Sequence, residues 1–427
     1  MRLDQATPEQ LREWESSLSA EYQSIQQASL NLDLTRGKPS AEQLALSNAL
    51  DGILNGQYTD SSGTDLRNYG RLDGIPEAKA LFATMMGVKP EEVMVGGNSS
   101  LTLMYFAVQT AMTHGVAGED SAWAQQGQTI KFLAPVPGYD RHFSVCEHLG
   151  IELIPVAMND DGPDMDQVEQ RVQADSNIKG IWCVPRFSNP TGIVYSDQVV
   201  ERMAKLGNIA GPNFRVFWDN AYAVHVLNDK AAPLANIMDY CREADTEDSV
   251  YLFGSTSKIT FAGAGVAFMA SSPANLAVLT KHFGFTSIGP DKVNQLRHVR
   301  FLKDSNTLSQ HMNQHAAIMQ PRFNAVLKRL RDELSDMGMG SWTEPDGGYF
   351  ISFDARPGLA RNIIELAANT GVKLTPAGAP FPYGDDPDDK NIRLAPSYPS
   401  VDEIEKAMEV FVLCVKLASV RQALKLL

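Results

Sequence analysis

Residues 250–258 read VYLFGSTSK. Val250 to Phe253 are apolar on both faces of an extended chain, the pattern of a strand buried between two layers. The run breaks at Gly254, and two serines and a lysine follow in a turn. Working outward, the same unit recurs: RVFWDN at 215–220, GIWCVP at 180–185, IELIPVAM at 151–158, IKFLAPV at 130–136, EVMVGG at 92–97 and GVAFMA at 265–270, with helical patterns between them. Strands alternating with helices predict an α/β domain with a mostly parallel sheet of seven strands between helix layers. Beyond residue 300 the pattern changes to one long helix over 306–338. The β-rich runs GGYFISFD (347–354), VKLTPAG (372–378) and NIRLAPS (391–397) follow, then a C-terminal helix with Val401, Ile404, Met408, Phe411, Val412 and Val415 at helical spacing. That predicts a smaller α+β domain.

At the other end, residues 7–28 read as a polar helix opened by Thr7 and Pro8, a favourable cap and first-turn pair. LNLDLTRGKPS then forms an extended arm broken at Gly37 and Pro39. The expected division is an N-terminal helix and arm over 1–45 packed on the small domain, a large domain over 46–305, and a small domain over 306–427.

Composition narrows the function. Asp plus Glu is 51 against 37 Lys plus Arg, a net charge of −14, which argues against nucleic acid or an anionic membrane surface as a partner. An anionic small substrate needs only a few local cations. No apolar stretch approaches the roughly 20 residues of a membrane span, and no secretory leader is expected from MRLDQATPEQ. Cys146, Cys183, Cys241 and Cys414 lie far apart, as free thiols of a cytoplasmic protein do. His311 and His315 share a helix face but lack a carboxylate companion, so no metal site is expected.

Open α/β sheets bind ligands beyond the carboxyl ends of their strands. After the first strand come Gly96, Gly97, Asn98, Ser99 and Ser100, a turn into a helix whose amides suit a phosphate, or simply a tight turn. Asn189-Pro190-Thr191-Gly192 follows the 180–185 run. Asp219 ends RVFWD and needs a partner if it is buried, or else caps a helix. Ser255, Ser257 and Lys258 end VYLF. Lys258 is either a solvated surface lysine or an amine poised to act as a nucleophile.

Order and co-occurrence remove much of this ambiguity. Asn189-Pro-Thr-Gly, Asp219-x-x-Tyr222, Ser255-x-Ser257-Lys258 and Arg393, spaced by 30, 39 and 135 residues, resemble the fold-type I pyridoxal-phosphate aminotransferases. The resemblance extends over nearly the whole chain. Tyr69-Gly-Arg-Leu-Asp-Gly74 is similar to the family's tyrosine-bearing segment. The Leu-Thr-Arg-Gly-Lys-Pro arm resembles a divergent aspartate aminotransferase subgroup related to the aminotransferase-like domain of MocR regulators.

The resemblance implies the following roles. Lys258 holds pyridoxal 5′-phosphate through its amine and then moves the substrate α-proton. Asp219 pairs with the protonated pyridine nitrogen, and Tyr222 and Asn189 donate to the phenolic oxygen. Gly97, Asn98, Ser99, Ser255 and Ser257 hold the phosphate, and Tyr139 stacks on the ring. Tyr69 reaches the phosphate of the neighbouring subunit, which implies a homodimer with shared sites. Arg393 clamps the substrate α-carboxylate through a bidentate pair, assisted by Asn189 and the backbone at Gly37.

One departure is marked. The family's phosphate-binding arginine, eight residues after the lysine, is Val266 here. Gly263-Ala-Gly265 lacks the third glycine of a dinucleotide loop. The expected reaction is transamination between aspartate and 2-oxoglutarate. A β-lyase, a decarboxylase, an aminotransferase for another donor and a non-enzymatic effector sensor are the alternatives. A dicarboxylic substrate needs a second cation, for which Arg36 ranks ahead of Arg141, Arg186, Arg297 and Arg300.

Overall fold

The structure is a computed structural model that describes residues 2–28 and 30–425. Met1, Ser29, Leu426 and Leu427, which fall in the expected outer segments, lie outside the described residues. The central sheet runs Val93–Val95, Ala267–Ala270, Val250–Ser255, Arg215–Asp219, Ile178–Cys183, Lys131–Val136, Glu152–Asn159 and Gly162–Pro163 in spatial order. Strands from Val250–Ser255 to Glu152–Asn159 pair in parallel. Ala267–Ala270 is antiparallel to both of its neighbours. All seven expected strands are present. The eighth, Gly162–Pro163, corrects the count: it is a two-residue return antiparallel to Met158 and Asn159, too short to leave a periodic signal.

Burial on both faces explains the unbroken apolar runs. Ile178–Cys183 and Arg215–Asp219 are buried at every position. Trp182 and Phe217 face an aromatic layer with Phe132, at 5.8 and 5.4 Å between ring centroids. Ile181, Val216 and Trp218 belong to the core on the opposite face. The two layers cover the sheet and leave its strand ends as the open edge.

The second core is built by the three-stranded antiparallel sheet Gly340–Trp342, Ile351–Ala355 and Asn391–Leu394, together with the Val401–Lys425 helix. GGYFISFD and NIRLAPS supply two of these strands. Two corrections apply. Gly340–Trp342 was not expected, and in VKLTPAG only Val372 and Lys373 are strand. That pair lies outside this sheet, parallel to Leu32 and Asp33 of the arm. The long helix spans Ser305–Leu334 and ends short of 338 because Asp336 and Gly338 take left-handed backbone (φ 58° and 69°). Its Leu308 and Met312 pack in the large-sheet core, while Met319 to Leu334 pack in the second core.

The Pro8–Gln27 helix opens with the expected cap: Gln10 N donates to Thr7 Oγ1 and Thr7 N to Gln10 Oε1. Leu11, Leu18 and Tyr22 bury against the second core, and the Tyr22 hydroxyl donates to the Leu366 carbonyl at 2.9 Å. The arm is thereby carried from the small core to the strand ends of the large sheet.

Candidate active site

A cavity of about 520 Å³ opens where those strands end. Lys258, Asp219, Tyr222 and Asn189 line it from three strand ends, Asp219 and Tyr222 from the same one. Arg393 and Phe350 enter from the second core, and Arg36 and Gly37 from the arm. Arg36 and Arg393, 357 positions apart in the chain, thus line one cavity.

Asp219 ends a fully buried strand and is itself 2% exposed. His142 Nε2 donates to its Oδ2 at 2.8 Å. Its other oxygen, Oδ1, is buried without any partner. A buried carboxylate oxygen left bare carries a large desolvation cost, so this atom is fitted to a cationic N–H on a ligand. The His142 ring is fixed in turn by stacking on Trp182 (4.4 Å, 10°) and by the edge of Tyr139 (4.9 Å, 76°). Sequence reasoning did not identify His142: it stands three residues beyond Tyr139 on the Asp140–His148 helix, in no motif.

Lys258 is half-buried by surface area because the cavity is open, yet protein hems it in. Burial pushes its amine below the usual lysine range, and the Asp219 carboxylate opposes the shift. Its Nζ stands 5.2 Å from the Tyr222 ring and 5.9 Å from the Tyr349 ring. Burial drives the Tyr222 phenol well above its usual value, reinforced by Tyr139 and Asp219, so the hydroxyl keeps its proton and remains a donor. Tyr139 is raised for the same first reason.

Arg393 is 7% exposed. Its Nη1 donates to Asn189 Oδ1 and to Asp140 Oδ1, both at 3.2 Å, and its Nε to Thr375 Oγ1 at 3.4 Å. The Thr375 hydroxyl donates to the Thr35 carbonyl at 2.9 Å, which ties the arm to this arginine. Phe350 lies under the guanidinium at 4.9 Å and against Gly37, where a Cβ would sit 2.3 Å from its Cζ. Gly37 therefore allows the close approach of the arm. Asp140, Thr375 and Phe350 are further residues that the sequence did not single out.

Ser99, Ser100 and Leu101 line the cavity at the start of the Ser100–Thr113 helix, beside Ser255 and Ser257. No side chain caps this helix at Ser99, so its first amides are available to an anion. Gly97 and Asn98 do not line the cavity. Asn98 Nδ2 donates to the Gly263 carbonyl at 3.3 Å, and the Gly97 carbonyl accepts from Ala267 at 3.1 Å, so both shape the turn. Val266 is buried, its amide donating to Thr256 Oγ1 at 2.9 Å.

Of the candidate second cations, Arg36 and Arg141 line the cavity. Arg186 does not. Its guanidinium is spent on the Ala223 and Ala232 carbonyls, and it faces a separate cavity. Arg297 and Arg300 sit on the Lys292–Leu302 helix away from the cavity lining, Arg300 donating to Gln57 Oε1 at 3.1 Å. Tyr69 is also outside the cavity, 78% exposed. Its segment abuts the loop that carries the exposed Phe285 and Ile288: a Cβ at Gly289 would meet the Gly70 carbonyl at 2.4 Å.

Among the described residues no helix is long and apolar enough to cross a membrane, and the four cysteines are free and buried. His311 and His315 are committed to a main-chain carbonyl, that of Ile259.

A family model described as aspartate amino-transferase matches residues 6–426. An aspartate aminotransferase of Corynebacterium glutamicum is 44% identical over 94% of this chain and 93% of its own length. The crystal structure of an aspartate transaminase from the same organism superposes with a TM-score of 0.95 at 42% identity, covering 99% of each chain. The fold is shared further by the α-aminoadipate aminotransferase LysN of Thermus thermophilus, solved with N-(5′-phosphopyridoxyl)-L-leucine, with a TM-score of 0.74 at 22% identity over 93% of this chain and 94% of that one.

Proposed function

The chain belongs to the aspartate amino-transferase family, and from that premise we propose that it is a pyridoxal-phosphate-dependent transaminase that converts aspartate and 2-oxoglutarate to oxaloacetate and glutamate. The carrying observation is the bare, buried Oδ1 of Asp219 in the same cavity as Lys258 and Arg393. The names of the Corynebacterium glutamicum relatives support aspartate as the amino donor.

The cofactor, when bound, supplies an aldehyde to receive an amine and a ring that draws electrons from the substrate α-carbon. The residues present fit it. Asp219 Oδ1 would accept from the ring nitrogen, with His142 holding the carboxylate in place. Tyr222 and Asn189 would donate to the phenolic oxygen. Asn189 Oδ1 is already held by Arg393, and among the described residues its Nδ2 donates to no protein group. Ser99, Ser255, Ser257 and the first amides of the Ser100–Thr113 helix would hold the phosphate, with Gly97 and Asn98 shaping the turn and Tyr139 lying against the ring. Val266 offers no charge, so amide and hydroxyl donors take over the arginine's task.

Lys258 would hold the cofactor and then move the proton at the substrate α-carbon. Its depressed amine is available unprotonated nearer neutral pH than a free lysine, as a base requires. Arg393 would take the α-carboxylate beside Asn189 and Gly37. Arg36, exposed at the cavity wall, would take the distal carboxylate. Tyr69 of the partner subunit would complete the phosphate site. A homodimer is supported by the exposed Tyr69, Phe285 and Ile288 on adjoining loops, at 78%, 84% and 67%. The free thiols fit a cytoplasmic setting.

The test is oxaloacetate formation from aspartate and 2-oxoglutarate. Wild type should turn over and Lys258→Ala should not. Near-native turnover in Lys258→Ala without added amine would end the assignment.

A further inference from the structure

Half of the eight histidines surround the five residues Thr256–Thr260 that carry Lys258. His225 follows the Asp219–Tyr222 turn, His298 lies on Lys292–Leu302, and His311 and His315 lie on Ser305–Leu334. All four are buried, His225 and His311 at 6% exposure, His315 at 3% and His298 at 0%.

The local backbone explains why they are needed. Residues 256–260 form a turn after Val250–Ser255. The amides of Ile259 and Thr260 both donate to the Thr256 carbonyl at 2.8 Å. The carbonyls of Lys258 and Ile259 receive no main-chain amide among the described residues. Buried carbonyls need donors. His225 Nε2 donates to the Lys258 carbonyl at 3.1 Å. His311 Nε2 and His315 Nε2 donate to the Ile259 carbonyl at 2.6 and 2.9 Å, one for each lone pair.

The carbonyl acceptors fix the tautomers. His315 carries its proton on Nε2, so Nδ1 accepts from Gln43 Nε2 at 3.2 Å. The same Gln43 amide donates to the Tyr349 hydroxyl at 3.1 Å. His298 Nδ1 donates to the Asn294 carbonyl and its Nε2 accepts from the Thr260 hydroxyl, both at 2.8 Å. His315 and His298 are thus satisfied at both ring nitrogens as neutral imidazoles, whereas His225 Nδ1 is buried without a partner.

We propose that His225, His311 and His315 are positioning residues of the transaminase, a cradle that fixes the carbonyls of Lys258 and Ile259 and so aims the Lys258 amine between the substrate α-carbon and the cofactor. The cradle rests on the function proposed above and extends it. It touches neither substrate nor cofactor. It also couples the lysine to the second core, because Gln43 and Tyr349 close the chain of bonds from the far side. Burial lowers the proton affinity of all four rings, consistent with the neutral pattern.

The experiment compares wild type, His225→Leu and His225→Gln as cofactor-loaded protein. Turnover with aspartate, the pH midpoint of the visible absorbance band and the melting temperature are read for each. His225→Leu removes the one donor to the Lys258 carbonyl. Misplacement of the amine should lower kcat by about 10- to 100-fold with KM little changed, and the midpoint should move. Glutamine restores a donor at similar reach, so His225→Gln should recover most of both. Should His225→Leu not fold, His311→Phe, which leaves His315 on Ile259, carries the same expectation with a smaller loss. Wild-type kcat and midpoint in a folded donor-less variant would overturn the cradle. So would glutamine restoring the melting temperature but neither kcat nor midpoint. A colourless, inactive wild type would instead defeat the proposed function.

Discussion

Asp140 Oδ1 and Arg393 Nη1 stand 3.2 Å apart, with Asp140 37% exposed and Arg393 8% by side chain. The proposed clamp for the substrate α-carboxylate therefore already carries a carboxylate. A substrate must displace Asp140 or share the guanidinium with it. Because Asp140 is partly solvated, the pair is worth about 1 kcal/mol or less. Asp140→Asn should lower KM for aspartate by about two- to fivefold, the equivalent of that energy, with little change in kcat. Steady-state kinetics checks this, and a raised KM would show that Asp140 instead holds Arg393 in its binding pose.

Asp219→Asn keeps the shape of the side chain and the bond to His142 but removes the charge offered to the ring nitrogen. Turnover should fall by about 10²-fold or more, at least about 2.7 kcal/mol of barrier. Retention of most activity, measured with saturating cofactor, would reduce Asp219 to a structural role.

Arg36 and Arg141 both line the cavity, and Arg36 adjoins the arm turn that packs on Phe350. Arg36→Ala should raise KM strongly for aspartate and much less for alanine or aromatic donors, because only a dicarboxylate leaves a second charge to be paired. Equal losses for all donors would transfer the role to Arg141.

The buried histidines give a pH signature. His225 is pushed down to about 3 and His315 to about 4 from the usual 6.5, chiefly by burial. His225 faces Lys258, Arg186 and His315 with the rings of Tyr222 and Tyr349, and His315 faces His311 and Gln43. On acidification the unfolded chain binds these protons first, near 6.5, while the native state stays neutral. The stability they contribute is thus whole above about pH 6.5 and is lost as pH falls toward 4 and then 3. The slope approaches about 1.4 kcal/mol per pH unit for each histidine. Urea unfolding at pH 7, 6 and 5 should show falling stability, with a shallower slope in His225→Gln/His315→Gln. An unchanged slope in that double variant would contradict the neutral assignment.

The strands and their ends were legible, though not their order in the sheet, because strands such as Ile178–Cys183 and Arg215–Asp219 bury both faces and so wrote a plain apolar run. Lys258, Asp219 and Asn189 were legible as candidates because they follow strand ends, and Arg393, inside Asn391–Leu394, because it completes a recognisable order. What escaped is contact between distant positions without a motif: Asp140 with Arg393, His142 with Asp219, His315 with Ile259. Asp140 and His142 stand on the first turn of a helix, in a sequence that reads as an ordinary amphipathic face. The two-residue strands at Gly162–Pro163 and Val372–Lys373 are set by tertiary pairing, beyond the reach of periodicity. Arg186 shows the converse. It stands in a motif-rich run, yet its guanidinium serves two carbonyls away from the cavity.

The most direct measurement of the central claim is to reduce the purified, cofactor-loaded protein with borohydride and map the modified peptide by mass spectrometry. The account predicts a yellow protein whose colour is lost on reduction and a phosphopyridoxyl mass added at Lys258 alone, with none in Lys258→Ala. A modification at another lysine, or no modification in a protein that still transaminates aspartate, would contradict it.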